Sequence, residues 1–542
     1  MMAEILGSGG RLAAEVLRGH DVDTLFTLSG GHLFPLFDGC VQAGIRLVDT
    51  RHEQTAVFAA EGWAKVTRRV GVCGLTAGPG VTNGVSALTS ALMTGSPVLA
   101  IGGRAPAARW GVGSLQELDH VPIVAPVVKR ASTAASTAGV PGEVDSALRA
   151  ARTPHRGPTF VDVALDVFVE GAMVDVPGAP IPEELCAAAP DPGAIRAVAR
   201  LVSASERPVL VCGGDAYWDH AEEALRAFAE VARVPVFGNG MGRGLLPADH
   251  ELAFGRARGA ALKQADLVVV AGTPLDFRLG FGAFGDAQVV HCCDAPGRAA
   301  RHVELAASTE GDLRATFSML ADVAGGGAHE DWIGHLRDEE RARRAADAQL
   351  MAADTEPIKP QRVYGELRSR LARDAIVIGD GGDFVSYAGQ LVDSYEPGTF
   401  LDPGPFGCLG MGPGYALAAT VAHPDRQVAL MLGDGAIGFA LGDLDTLVRF
   451  GANVVMVVGN NGIWGLEKHP MEQWFGYSVA AELRPGTRYD LVLEALGGHG
   501  ELVTKPAELG PALDRAFATG GPSLVNVCTD PADAYPRSSN LA

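Results

Sequence analysis

Short apolar runs rich in Val, Ile and Leu recur along the chain, separated by Ala-rich stretches of helical spacing. The clearest are GVCGLTAG, PVLAIGG, RPVLVCGG, DLVVVAGT, AIVIGD, QVALMLGD, NVVMVVGN and PSLVNVCTD. They are apolar on both faces and often end in Gly or Asp. This pattern predicts buried parallel strands whose carboxyl ends feed loops, with helices covering both faces of each sheet. Two stretches break the rhythm. One is the Pro- and Ala-rich VDVPGAPIPEELCAAAPDPG (174–193); the other runs from AGGGAHEDW (324–332) through the charged helix EERARRAADAQL to DTEPIKP (354–360). Read as linkers, they divide the chain into three doubly wound, parallel-sheet α/β domains, 1–180, 190–340 and 355–542. The first and third are candidates for a shared topology.

Composition narrows the partners. A chain of 542 residues exceeds what one hydrophobic core supports, and 47% hydrophobic residues can fill several. A formal charge of −20 argues against nucleic acid or an anionic membrane as the main partner, so any anionic ligand must be held locally. Eight cysteines without a CxxC pair suit reduced thiols better than a disulfide framework or a zinc site. The N-terminus lacks the basic and apolar regions of a signal peptide, and no apolar run reaches spanning length, which points to a cytoplasmic protein.

The chemistry concentrates in GDGAIGFALGDLDTLVRFGANVVMVVGNN (433–461). Asp434 follows a predicted strand, GDLDTLVRF reads as a crossover helix, and NVVMVV as the next parallel strand. Asp434 and the pair Asn460-Asn461 therefore reach the same sheet edge, where open parallel sheets bind ligands. Gly433 and Gly435 let the backbone approach a bulky anion, and a helix N-terminus beyond them favours negative charge. A carboxylate, an amide oxygen and a backbone carbonyl form a hard oxygen set suited to Mg²⁺ completed by phosphate oxygens.

This arrangement resembles the signature of thiamine-diphosphate-dependent enzymes. The resemblance implies thiamine diphosphate and Mg²⁺ as cofactors, Asp434 and Asn461 as side-chain metal ligands and Ile463 as the carbonyl ligand, with Gly433, Gly435, Ala436 and Asn461 around the diphosphate. Counting from Asp434 without gaps favours Asn461 over Asn460. FGCLGMGPGYALAA (406–419) is similar to the family's loop under the cofactor. In it Gly407 offers a carbonyl to the 4′-amino group, Leu409 is the wedge that bends the cofactor, and Met411 lies near the pyrimidine.

RHEQTAVFAAEGWAKVTRRVGVCGLTAGPGVTN (51–83) is similar to the family's pyrimidine-binding domain. It places Glu53 where a carboxyl group shares a proton with the pyrimidine N1′, with Glu61 the competing choice, and Gly78 and Asn83 in the adjoining loop. A pocket position would raise the pKa of Glu53. The family builds each site from two subunits, which implies at least a homodimer and commonly a homotetramer. The middle block resembles a domain that binds FAD in some relatives, ADP or part of coenzyme A in others, and nothing in the rest. Arg156, Arg278 and Asp294 stand where ADP-binding relatives contact the nucleotide.

For the reaction, His32 in SGGHLFPLFDG, Gln116 in GSLQELDH, NNGIWGLEKHP and the tail AYPRSSNLA (534–542) most resemble the 2-hydroxyacyl-CoA lyase and oxalyl-CoA decarboxylase branch. That reading takes an acyl-CoA thioester as substrate. The C1–C2 bond of a 2-hydroxyacyl-CoA breaks as the 2-hydroxyl loses its proton, giving formyl-CoA and a small aldehyde or ketone. His32 and Gln116 would contact the hydroxyl and carbonyl, the tail would close over the site, and Glu494 is a further candidate for the pocket. The alternatives are an acetolactate-synthase-like carboligase or decarboxylase of 2-keto acids, a benzaldehyde-lyase-like enzyme, oxalyl-CoA decarboxylase, an FAD-dependent oxidase, and a catalytically silent scaffold of the same fold.

Overall fold

The computed structural model describes residues 3–177, 188–533 and 535. Each of the eight apolar runs is a strand, among them Gly71–Leu75, Leu267–Ala271, Val428–Gly433 and Val454–Asn460, and almost every residue in these four is buried. They belong to three six-stranded sheets in which every pairing is parallel. A separate antiparallel pair joins Ala3–Ser8 to Gly171–Val176.

The first sheet runs Arg46–Asp49, Thr24–Thr27, Gly71–Leu75, Val98–Arg104, Thr159–Ala164, Arg130–Ala134. The last runs Phe400–Leu401, Ile376–Asp380, Val428–Gly433, Val454–Asn460, Ser523–Cys528, His499–Val503. With strands numbered in chain order within each sheet, both have the order 2-1-3-4-6-5. The topology suspected for the first and third blocks is thus the same in both. In each, the order reverses between the first and third strands, and that switch point opens a crevice at the carboxyl edge. The middle sheet has the order 3-2-1-4-5-6, with its switch point between Pro208–Cys212 and Leu267–Ala271.

The backbone divides into two compact units. One comprises 1–186 with 403–424 and 438–452; the other comprises 187–402 with 425–437 and 453–542. Within the first unit, the helix Glu53–Thr67 packs on the helix Gly412–Ala422 through small residues. A Cβ on Gly62 would fall 2.8 Å from the Tyr415 Cα, and one on Gly414 would fall 2.9 Å from the Thr55 carbonyl oxygen. Glu61, the competing choice for the catalytic acid, is consumed in this packing. It is fully buried, pairs with Lys65 Nζ at 2.9 Å and accepts the Thr94 hydroxyl at 2.8 Å, while Lys65 donates to the Tyr415 hydroxyl at 2.7 Å.

In the second unit, the charged stretch expected inside a linker forms the 22-residue helix Glu330–Met351. It is anchored through buried Trp332, Ile333 and Leu336, and Arg256 grips Asp347 with two hydrogen bonds of 2.6 and 2.9 Å. The crossover helix expected over GDLDTLVRF, in the first unit, is present: a 3₁₀ turn spans Leu441–Asp443 and runs into the helix Leu444–Arg449. The described cysteines are free. No helix among the described residues is long and apolar enough to cross a membrane.

Removing one partner of a buried ion pair leaves the other charge uncompensated. Lys65→Ala is therefore expected to cost about 3–5 kcal/mol of stability, measured by chemical denaturation. A loss below about 1 kcal/mol would show that Glu61 finds compensation elsewhere.

Candidate cofactor site

The metal half of the site follows from strand register. Val428–Gly433 and Val454–Asn460 pair in parallel with Gly433 opposite Gly459, so Asp434 and Asn460-Asn461 emerge together at the carboxyl edge, beside the switch point. Asp434 is buried. Its Oδ2 accepts the Gly462 N–H at 2.7 Å, its Oδ1 accepts the Gly435 N–H at 3.0 Å, and the Tyr489 hydroxyl donates to its carbonyl oxygen at 3.0 Å. Burial pushes the Asp434 carboxyl up to about 6, against the pull of the two amides.

The two asparagines have different surroundings. Asn460 is buried, and its Nδ2 donates to the Thr487 carbonyl at 2.9 Å and to Asn526 Oδ1 at 3.1 Å, while Asn526 Nδ2 donates to Asp490 at 3.0 Å. Asn461 is half-buried and its Oδ1 accepts the Ile463 N–H at 3.2 Å. Asn460 is a brace, and Asn461 lines a small cleft with Asp434, Gly433, Gly435, Ile463 and Trp464. The cleft holds about 30 Å³, room for an ion.

The donor chemistry fits a hard divalent cation: a carboxylate that burial disfavours as a bare anion, an amide oxygen and a neighbouring backbone segment, with further positions left for phosphate and water. Two details of the expectation change. The helix after the turn begins at Asp434 itself and spans six residues, so its dipole adds little. The two flanking glycines serve different ends. A Cβ on Gly433 would meet open space, whereas one on Gly435 would fall 2.3 Å from the Trp464 ring.

The acid half lies in the first unit. Glu53 is the first residue of its helix; the cap is His52, whose side chain accepts the Gln54 N–H. The carboxyl of Glu53 is buried and its Oε2 accepts a hydrogen bond from Asn83 Nδ2 at 2.9 Å. Asp443 fixes the turn that leads into this helix, a role that sequence reasoning missed. Its Oδ1 accepts the Arg51 N–H at 2.7 Å and the Thr446 hydroxyl at 2.8 Å, and its Oδ2 accepts the Thr55 hydroxyl at 2.6 Å. Gly78 has φ +61, which opens the short helix Pro79–Asn83.

His32 sits in a 3₁₀ turn after the strand Thr24–Thr27, buried, with Nδ1 3.4 Å from the Thr76 hydroxyl. Burial, and then the proximity of His120, lowers its pKa. Gln116 adopts φ +58 and lies against Gly78. Gly407 is exposed with φ +70, Leu409 is half-buried in its own unit rather than a core leucine, and Met411 is fully buried at the start of its helix. Ala436 is buried in the short helix that begins at Asp434.

The nucleotide residues are less accommodating. The Arg278 guanidinium is engaged by Asp276 through hydrogen bonds of 2.6 to 3.1 Å, so a nucleotide phosphate would compete with a carboxylate already in place. Asp294 follows the strand Gln288–Cys293 and is buried, as is Arg156. Of the proposed tail, only Tyr535 is described. Its N–H donates to Asp383 Oδ1 at 2.8 Å, and Ala534 and 536–542 lie outside the described residues, as do 178–187 of the first linker. Glu494 is exposed on the helix Tyr489–Leu496.

Residues 7–123 match the model of the thiamine pyrophosphate enzyme N-terminal TPP-binding domain, 195–320 the central domain and 380–527 the C-terminal TPP-binding domain. The chain belongs to the thiamine pyrophosphate enzyme family, and thiamine diphosphate is its cofactor. It is 55% identical, over 98% of both chains, to a protein from Mycobacterium bovis named probable acetolactate synthase and to the acetolactate synthase large subunit of Mycobacterium tuberculosis. It is 34% identical to the 2-hydroxyacyl-CoA lyase 2 of Caenorhabditis elegans, over 91% of this chain and 84% of that protein.

Tyr489→Phe removes the hydroxyl that steadies the Asp434 backbone. It is expected to weaken metal-dependent thiamine diphosphate binding, read by calorimetry, by about 10-fold or more. Asp434→Asn should weaken it further, and wild-type affinity in Asp434→Asn would place the metal elsewhere.

Proposed function

We propose that the protein is a thiamine-diphosphate-dependent carboligase of 2-keto acids, of the acetolactate synthase type. One 2-keto acid loses carbon dioxide, and the acyl unit that remains is joined to the carbonyl carbon of a second. The observation that carries this reading is the 55% identity, end to end, with two proteins named acetolactate synthase, against 34% with the lyase. It shifts the weight from the 2-hydroxyacyl-CoA lyase, which the loop motifs favoured, to the alternative named beside it.

When bound, thiamine diphosphate supplies a carbon that attacks the substrate carbonyl and stabilises the negative charge left by decarboxylation. The chain's part is positioning. Asp434, Asn461 and the Ile463 carbonyl would hold Mg²⁺ and through it the diphosphate, the Gly433 turn would leave space for it, and Gly407, Leu409 and Met411 would shape the bed of the thiamine. Glu53 keeps a proton available at the pyrimidine N1′, with Asn83 orienting the carboxyl. His32 and Gln116 contact the carboxylate and carbonyl of the incoming acid, and burial around His32 helps to exclude water. The active unit is at least a homodimer.

With thiamine diphosphate and Mg²⁺, the protein is expected to convert pyruvate to acetolactate and carbon dioxide, followed by mass spectrometry. Chelation should stop the reaction and Mg²⁺ should restore it. Formyl-CoA and acetone from 2-hydroxyisobutyryl-CoA, with no acetolactate from pyruvate, would return the protein to the lyase reading. Glu53→Gln should bind the cofactor but slow exchange of its C2 proton with D₂O by about 10²- to 10⁴-fold. Wild-type exchange in that variant would remove Glu53 from the mechanism.

A further inference from the structure

A buried histidine that the proposed chemistry does not use lies four residues beyond Gln116. His120 is fully buried, and its Nε2 is 2.9 Å from the backbone nitrogen of Gly78. A backbone N–H can only donate, so Nε2 is the acceptor and carries no proton. The proton is then on Nδ1, which lies 3.1 and 3.2 Å from the two carboxylate oxygens of Asp162. Asp162, also fully buried, is held in turn by Arg104 at 2.8 Å, and the Arg104 guanidinium bonds Asp119 at 3.0 Å and stacks 3.8 Å over the Trp110 ring.

What this chain of contacts fixes is the entry to the turn that carries Asn83. Gly78, with φ +61, starts the helix Pro79–Asn83, and Asn83 donates to Glu53 at its far end. On the other side of the same glycine, a Cβ would stand 3.0 Å from the Gln116 Cβ and 3.2 Å from the Gln116 carbonyl oxygen. His120 therefore ties the segment bearing Gln116 to the segment that orients Glu53.

We propose that His120 is a positioning residue for the cofactor's acid: as a neutral imidazole oriented by Asp162, it accepts the Gly78 N–H and so holds the Gly78–Asn83 turn, and through Asn83 the Glu53 carboxyl, in place. This rests on the reading of Glu53 as the group that meets the pyrimidine. It does not depend on which substrate the enzyme takes.

The test compares His120→Leu, which keeps bulk but has no acceptor, with His120→Gln, whose Oε1 accepts from Gly78 and whose Nε2 donates to Asp162. In the cofactor-free protein, His120→Leu should speed amide hydrogen exchange over 78–83 by about tenfold, the equivalent of one lost hydrogen bond. With thiamine diphosphate and Mg²⁺ bound, it should slow C2-proton exchange about 10- to 100-fold. His120→Gln should restore both. Unchanged exchange in His120→Leu, or no rescue by a folded His120→Gln, overturns the proposal.

If His120→Leu does not fold, Asp162→Asn carries the test. An amide facing Nδ1 favours the tautomer with the proton on Nε2, which opposes the Gly78 N–H. Slow C2-proton exchange at an unchanged thermal midpoint supports the role, and wild-type exchange overturns it. C2-proton exchange needs no substrate. Wild-type exchange in Glu53→Gln separately identifies a failure of the Glu53 reading.

Discussion

The parallel register between Val428–Gly433 and Val454–Asn460 is the constraint on which the proposed metal site depends. A parallel pair cannot be joined by a hairpin, so the chain must cross over and return, and both strands end at one edge. With Gly433 opposite Gly459, a carboxylate and two amides separated by a whole crossover become neighbours. Everything local to Asp434 then serves to keep it there: amides of Gly435 and Gly462 on its oxygens, the Tyr489 hydroxyl on its carbonyl, and the Asn460–Asn526–Asp490 brace behind it. A buried carboxyl pushed up to about 6 is poorly satisfied as a bare anion, and a divalent cation would compensate it.

The same sheet order serves a different purpose in the first unit. Again the candidate residues gather at the edge where strand order reverses, His32 and Thr76 after the first and third strands, but the loops carry a buried acid and its hydrogen-bond partners instead of the oxygen set around Asp434. Two carboxylates govern this half without facing the cofactor in the proposed mechanism. Asp443 stitches the turn before Glu53 through Arg51 and Thr55, and Asp162 sets the tautomer of His120. Glu61, eight residues after Glu53, is spent on Lys65 inside the helix packing. Burial does not separate these two acids; their partners, Lys65 for Glu61 and Asn83 for Glu53, do.

Much of this was legible in the chain. The eight strand runs could be read because a strand covered on both faces is apolar at every position, and the meeting of Asp434 with Asn460-Asn461 at one edge because GDG and NN bracket one crossover. Strands such as Arg46–Asp49 and Arg130–Ala134, at the edges of their sheet, are only partly buried and lack that continuous signal. The 3₁₀ entry to the crossover at Leu441–Asp443 was hidden because a 3₁₀ turn and the first turn of an α-helix differ little in spacing. His120 stood inside a quoted motif, yet its partners Gly78 and Asp162 are each 42 residues away, and only the fold brings them together. The reaction was least legible of all, because carboligases and lyases share the cofactor machinery and differ in loop residues whose chemistry is ordinary.

Asp434, Asn461 and Ile463 are proposed to form one side of a metal-bound diphosphate site. The direct test is a crystal structure of the protein loaded with thiamine diphosphate and Mn²⁺ in place of Mg²⁺, with the metal located by its anomalous signal. A single peak is expected, bonded to the Asp434 carboxylate, the Asn461 amide oxygen and the Ile463 carbonyl, with diphosphate oxygens completing the shell at about 2.0–2.3 Å. A metal bound to Asn460 instead, or a diphosphate held without Asp434, would contradict it.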